Sequence, residues 1–258
     1  MHHPAVQSPI NLLKSHALTV DDAEPLQYVG HWHDRGPGML ANDGRTAVLT
    51  VSGKPHDPFL VGGPLTGVYV FEQLHFHWGP DDAAGCEHLL EGRTHSMEAH
   101  LVHYNARYGS FMDARDQPDG LAVVAFLFQA DSSAPDWDPL EPLVRALEHV
   151  HQPGTVTPIP QGCLRWLTSQ DFKRHYYTYR GSLTTAPYSE SVTWLVYRTP
   201  IYVSCRQTDA FRRLHRFSGN PSRTMAIGSN YRPIQTPTVS AGLVFVRNHS
   251  SNPANSKL

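Results

Sequence analysis

Neutral imidazole is the commonest nitrogen ligand for divalent transition metals, and this chain of 258 residues holds 17 histidines but only 3 cysteines. His75-Phe76-His77 closes the run Val68-Tyr69-Val70-Phe71-Glu72-Gln73-Leu74. A run rich in β-branched and aromatic residues predicts a strand, whose side chains alternate between faces. Gln73, His75 and His77 then share one face, while Leu74, Phe76 and Trp78 share the other. Glu98-Ala99-His100-Leu101-Val102 repeats the pattern, with Glu98, His100 and Val102 on one side. If the two strands are neighbours, three neutral imidazoles meet with no thiolate or carboxylate among them. Such a set leaves one corner of a tetrahedral zinc site for water, which is the layout of a catalytic centre. Gln73 and Glu98 lie on the same face and can accept hydrogen bonds from the nitrogens a metal does not use, fixing each tautomer. On pattern alone, a polar core face explains these residues equally well.

Two other His-x-His pairs carry less. His149 and His151 follow a helical pattern, where residues two apart do not face one another. Solvated histidines favoured by the helix dipole are expected there. His31-Trp32-His33 runs into Asp34-Arg35-Gly36-Pro37 with no third ligand in view, so a structural or surface role is expected.

Strands must position these groups. Segments 47–51, 68–76, 99–104, 121–128, 192–197 and 243–246 are β-branched or aromatic runs, most of them bounded by turn residues. Asn42-Asp43-Gly44 signals a tight turn. One helix is predicted from Pro139 to Val150, with Leu140, Leu143, Val144 and Leu147 on one face, and a shorter one from Gln207 to Leu214. Two helices are too few to alternate with the strands of a doubly wound parallel sheet. The reading is therefore an α+β fold: one domain over residues 1–258, a mainly antiparallel sheet with small peripheral helices, and a tail from residue 248. Met1-His2-His3-Pro4 lacks the apolar core of a secretory signal and reads as a trimmed start.

Composition narrows the function classes. Hydrophobic residues make up 40% of the chain and the formal charge is only −2, which argues against disorder and against a nucleic-acid partner. No apolar run approaches the roughly 20 residues of a membrane span.

Several motifs, taken together, resemble the α-class carbonic anhydrases. They are Gln73-Leu74-His75-Phe76-His77-Trp78-Gly79, Glu87-His88, Glu98-Ala99-His100-Leu101-Val102-His103 and Gly181-Ser182-Leu183-Thr184-Thr185. Gln7-Ser8-Pro9-Ile10-Asn11, Gly62-Gly63-Pro64-Leu65, 118–123, Val192-Thr193-Trp194 and Asn230-Tyr231-Arg232-Pro233 follow in the family order and cover nearly the whole chain. The resemblance implies a large, twisted sheet with a conical cavity above a zinc ion held by His75, His77 and His100. It implies hydrogen-bond acceptors at Gln73 and Glu98, and an Asn230 that orients His77 through its backbone. Thr184 would accept a hydrogen bond from zinc-bound hydroxide and pass its own proton to Glu87. Val102, Val123, Leu183, Thr185, Val192 and Trp194 would line a pocket for carbon dioxide. The implied reaction is reversible hydration of carbon dioxide to bicarbonate and a proton, by a monomer inhibited by sulfonamides and small anions. A binding module of the same fold that has lost catalysis is the alternative.

Four features depart from the family pattern. Arg45 stands where fast members carry a proton-shuttle histidine, Val48 replaces a polar residue of the cavity wall, and Ala186 interrupts a Pro-Pro pair. The aromatic segment expected before Gln7-Ser8-Pro9 is missing. Arginine cannot accept a proton, so turnover limited by proton release is expected. His2 or His3 would be substitute shuttles if the N-terminus folded back. Secreted relatives carry cysteines near positions that here are segments 1–6 and 186–188, so Cys86, Cys163 and Cys205 are expected to be unpaired thiols. A reducing compartment, cytoplasmic or the mitochondrial matrix, is expected rather than secretion, and the sequon Asn248-His249-Ser250 is discounted.

Overall fold

A strand with alternating apolar residues buries one face and presents the other, and the longest strands here run for 9 to 11 residues. The computed structural model describes residues 5–32, 38–51, 57–160, 162–169, 173–220, 222–237 and 240–248. His2, His3, His33, most of the sequon and the tail beyond residue 248 lie outside them. Ten strands make the main path of a 13-stranded sheet: β1 (Leu18–Asp21), β2 (Gly38–Asn42), β3 (Ala47–Val51), β4 (Tyr69–Trp78), β5 (Met97–Asn105), β6 (Leu121–Asp131), β7 (Val156–Ile159), β8 (His175–Gly181), β9 (Val192–Tyr197) and β10 (Val244–Arg247). Their order is β7-β2-β3-β4-β5-β6-β9-β8-β10-β1. Most pairings are antiparallel, as expected, but β6 runs parallel to β9 and to Ile201–Ser204, and β10 parallel to β1. The sheet is therefore mixed.

Side-chain parity divides the core in two. Leu74, Phe76 and Trp78 of β4, Ala99 and Leu101 of β5 and Val124, Phe126 and Phe128 of β6 enter the larger apolar cluster. Val102, Val123, Val192 and Trp194 belong to a smaller one on the opposite face. A β-bulge between Phe71 and Gln73 re-phases β4. Before it the odd-numbered Tyr69 and Phe71 face the larger cluster, and after it the even-numbered residues do. One extra residue thus turns His75 and His77 onto the open face.

The helices are short. Pro139 sits in a 3-10 turn (Asp138–Leu140), and Pro142, whose missing N–H is harmless in a first turn, opens a helix over Glu141–Leu147 only. The second expected helix is Cys205–Arg212, and Phe111–Ala114 adds one turn. His149 and His151 lie just beyond the Glu141–Leu147 helix, with His149 exposed. The Asn42 turn joins β2 to β3, Asn42 Oδ1 accepting from the Gly44 N–H at 2.9 Å and Asp43 Oδ1 from the Arg45 and Thr46 N–H groups at 2.8 Å each.

Candidate metal centre

Adjacent antiparallel strands bring residues directly opposite each other within side-chain contact. The β4–β5 register sets His75 opposite His100 and His77 opposite Glu98. The imidazole rings of His75, His77 and His100 form a triangle, with centroids 5.0, 5.1 and 4.6 Å apart. One ligand atom from each lies within 4.8 Å of the others.

Each ring has one nitrogen already engaged. His75 Nδ1 lies 3.1 Å from Gln73 Oε1, and His77 Nδ1 is 3.1 Å from the Asn230 carbonyl and 3.3 Å from Glu87 Oε1. His100 Nε2 lies 2.7 Å from Glu98 Oε1. A hydrogen on each of these nitrogens leaves the lone pairs on His75 Nε2, His77 Nε2 and His100 Nδ1. The His75 and His77 Nε2 atoms are 3.1 Å apart. Adjacent corners of a tetrahedral zinc site with ordinary Zn–N bonds are about 3.3 Å apart. The donor set therefore fits zinc, with no fourth protein ligand among the described residues. Burial, and then the neighbouring His77 and His100 rings, push His75 well below the usual imidazole range. Burial lowers His77 too, against the opposing pull of Glu87. Both rings are thus held in the neutral form that binds metal.

Behind the triad lies a chain of buried groups. The Glu98 carboxylate, 0% exposed, accepts at Oε1 from His100 and from His88 Nδ1 at 2.7 Å. Its Oε2 accepts from the Glu87 and His88 backbone N–H groups at 2.9 and 2.8 Å. Burial alone would raise its pKa, but His88 and His100 outweigh that and hold it well below the carboxylate range. His88 Nε2 is 2.7 Å from the Tyr179 hydroxyl, which donates to Ser8 Oγ at 2.8 Å. Trp194 packs 4.8 Å from His100 and 4.7 Å from His88, and its Nε1–H donates to the Ser182 carbonyl. Sequence reasoning gave His88, Tyr179 and Ser8 no role. The Glu87-His88 pair was the available signal, two adjacent polar residues that are both buried, at 2% and 0% exposed.

Glu87 is 2% exposed. Its Oε1 accepts from the Arg232 N–H at 2.8 Å, while Oε2 is buried without a hydrogen-bond partner. Thr184 is 7% exposed, on a loop closed by hydrogen bonds from Leu183 N–H to the Ser189 carbonyl and from Tyr188 N–H to the Thr185 carbonyl. Among the described hydrogen bonds none joins Thr184 to Glu87. The Arg232 guanidinium stacks 4.0 Å from the ring of Tyr188, a non-glycine residue held at φ +63°. Asn230 clamps the other side: its Oδ1 accepts from the Trp78 N–H, and its Nδ2 donates to the Phe76 and Arg45 carbonyls.

The six expected pocket residues divide. Val102, Val123, Val192 and Trp194 are buried in the smaller cluster, Leu183 is half-buried against it, and Thr185 is exposed. Arg45 is exposed, and Val48 pairs with His75 across β3 and β4. His31 is 1% exposed rather than at the surface, its Nε2 2.9 Å from that of His103, which burial pushes down to about 3. This pair faces the larger cluster, away from the triad. No disulfide joins Cys86, Cys163 and Cys205.

Two buried imidazoles and one half-buried imidazole, converging on the face of a mixed sheet, form a group that could hold a metal ion. Comparison with known proteins places it further. The family model of the eukaryotic-type carbonic anhydrases matches residues 3–239. Carbonic anhydrase 7 of Homo sapiens is 36% identical over 230 residues, covering 89% of this chain and 84% of that protein. Carbonic anhydrase 1 of Monodelphis domestica is 40% identical over 162 residues, 62% of this chain and 60% of that protein. Carbonic anhydrase 6 of Mus musculus is 34% identical over 203 residues, or 78% and 62%. The chain belongs to the eukaryotic-type carbonic anhydrase family, whose general reaction is the hydration of carbon dioxide. No helix among the described residues is long and apolar enough to cross a membrane.

Proposed function

We propose that the chain is an active zinc enzyme that interconverts carbon dioxide and bicarbonate at the His75–His77–His100 triad. The observation that carries this reading is the convergence of three free imidazole nitrogens whose opposite nitrogens are all engaged. Zinc bound there would supply Lewis acidity, lowering the pKa of its water to about 7, a value that belongs to carbonic anhydrases in general and does not come from this geometry. The residues supply the rest. Gln73, Glu98 and the Asn230 carbonyl hold the ligands in one tautomer. Glu87 Oε2, buried without a partner, is the acceptor for the Thr184 hydroxyl proton. Thr184 then presents its oxygen as an acceptor toward the open corner and orients the nucleophile. Val102, Val123, Leu183, Val192 and Trp194 offer an apolar wall to a substrate with little to hydrogen-bond. Small anions and sulfonamides would compete for the same corner.

Arg45 offers charge but no proton acceptor, so proton release limits turnover. The absence of a disulfide among the three cysteines is in keeping with a reducing compartment such as the cytoplasm.

The test is zinc content and carbon dioxide hydration on one purified sample, with His75→Ala, His77→Ala and His100→Ala beside it. Stoichiometric zinc and activity in the wild type, with both lost in each variant, are expected. Zinc without activity would favour the binding-module reading, and tight zinc in any variant would refute the ligand set.

A further inference from the structure

The charge of this chain is unevenly laid out. It holds 23 acidic residues, yet none occurs from Ala210 to the C-terminus. The arginines of that stretch fall into two groups. Arg212 pairs with Asp82 and Asp209, Arg247 pairs with Asp21, and Arg232 stacks on Tyr188. Arg213, Arg216 and Arg223 are exposed and form no ion pair among the described residues.

Arg216 lies on one feature and Arg223 beside it, while Arg213 caps the helix that leads into it. His215–Phe217 and Thr224–Ala226 form a two-stranded ribbon separate from the main sheet. Its foot is anchored: Leu214 and Ile227 are buried at 0% and 2%. The His215 N–H donates to the His151 carbonyl, and Trp78 Nε1–H donates to the Ile227 carbonyl. The upper part is tied by the Ser218 N–H to Arg223 carbonyl bond at 3.0 Å. Every described residue from 216 to 226 is exposed, including Phe217 at 51% and Met225 at 46%. Arg216 lies opposite Met225, so those two share a face, and Phe217 lies opposite Thr224 on the other.

We propose that this ribbon docks the protein on an anionic lipid surface. Exposed arginines that form no ion pair among the described residues are attracted to negative headgroups, and exposed apolar side chains beside them enter the headgroup–acyl boundary. The two faces decide between partners. A folded protein covers one face of a narrow ribbon and leaves either Phe217 or Met225 in water. A fluid interface surrounds the ribbon and covers both. The anchored foot keeps the projecting end presented, so little ordering is needed on docking.

The experiment is co-sedimentation of the full chain with vesicles of phosphatidylcholine alone or with about one third phosphatidylserine. Binding to the anionic vesicles only is expected, falling as salt is raised, because screening shortens the reach of exposed charges. Each arginine near such a surface is worth about fivefold in partition, so Arg216→Gln with Arg223→Gln should lower binding about 25-fold. Phe217→Ser with Met225→Ser should lower it without changing its dependence on salt. Thermal unfolding of both variants should match the wild type, since the altered side chains are exposed. Equal binding to neutral vesicles, no binding at low salt, or arginine variants that bind like the wild type would overturn the proposal. Capture by poly-glutamate in the absence of vesicle binding would also overturn it, in favour of an acidic protein partner.

Discussion

Replacing Glu98 with glutamine keeps the side-chain volume and removes half of its accepting capacity. The carboxylate receives four hydrogen bonds, two at each oxygen, from His100, His88 and the Glu87 and His88 N–H groups. A glutamine amide can accept on one oxygen only, so two buried donors lose their partner whichever way it turns. Each unpaired buried donor costs about 1–3 kcal/mol, giving a loss of about 2–6 kcal/mol in the metal-free protein. At the lower half of that range the melting temperature should fall by about 5–10 °C. If the amide nitrogen faces His100 Nε2, that nitrogen must become an acceptor and its hydrogen moves to Nδ1, where the lone pair for zinc is needed. Disturbing such an outer partner typically weakens metal binding 10–100-fold. Chelator competition measures the affinity, and calorimetry of the metal-free protein measures the stability. Glu98→Gln with both values unchanged would refute the reasoning, because it would mean that neither the tautomer nor the buried donors depend on this carboxylate.

Thr184→Ala should retain zinc yet lose about 10²–10³ in hydration rate, the usual effect of removing one positioned hydrogen bond at a charged reacting centre; stopped-flow hydration beside zinc analysis checks it. Arg45→His should raise the maximal rate at low buffer, since imidazole titrates near pH ~6.5, while small imidazole buffers should accelerate the wild type more than the variant. A wild-type rate that ignores buffer would show that another group moves the proton. Tyr188→Phe should keep the Arg232 stack and near-normal kinetics, whereas Tyr188→Leu should loosen the Thr184 loop and lower kcat more than it raises KM. Faster hydrogen exchange at the Leu183 N–H in metal-free Tyr188→Leu is the companion measurement.

The sequence was legible where side chains alternate. The facing of His75, His77, His100, Gln73 and Glu98 follows from parity on strands whose other faces are apolar, and the positions of β3 and β9 match their runs residue for residue. The bulge before Gln73 left no compositional mark, because Glu72 is an ordinary strand residue and only the partner register exposes the slip. The burial of His31 was hidden because it lies in a turn, its partner His103 lies on the distant β5, and neither residue is apolar. The parallel pairing of β6 with β9 brings together segments well separated in the chain, and nothing in either run encodes direction. Helix ends were overestimated because the apolar spacing at Leu140 continues through a 3-10 turn that periodicity does not distinguish.

The triad and its braces have different histories in the folding chain. The three ligands come from neighbouring strands, and the chain that carries them is complete at His100. The carbonyl that orients His77 returns across 153 residues, and the N–H that holds Glu87 across 145. Contacts so distant in sequence form late, after the entropy of closing a long loop has been overcome, and synthesis delivers them last. Meeting of the three imidazoles and arrival of these long-range braces are therefore separate steps in the folding of this molecule. A chain stalled before Asn230 would hold the nest of imidazoles with His75 and His100 braced by Gln73 and Glu98, but with His77 lacking the carbonyl that aims it.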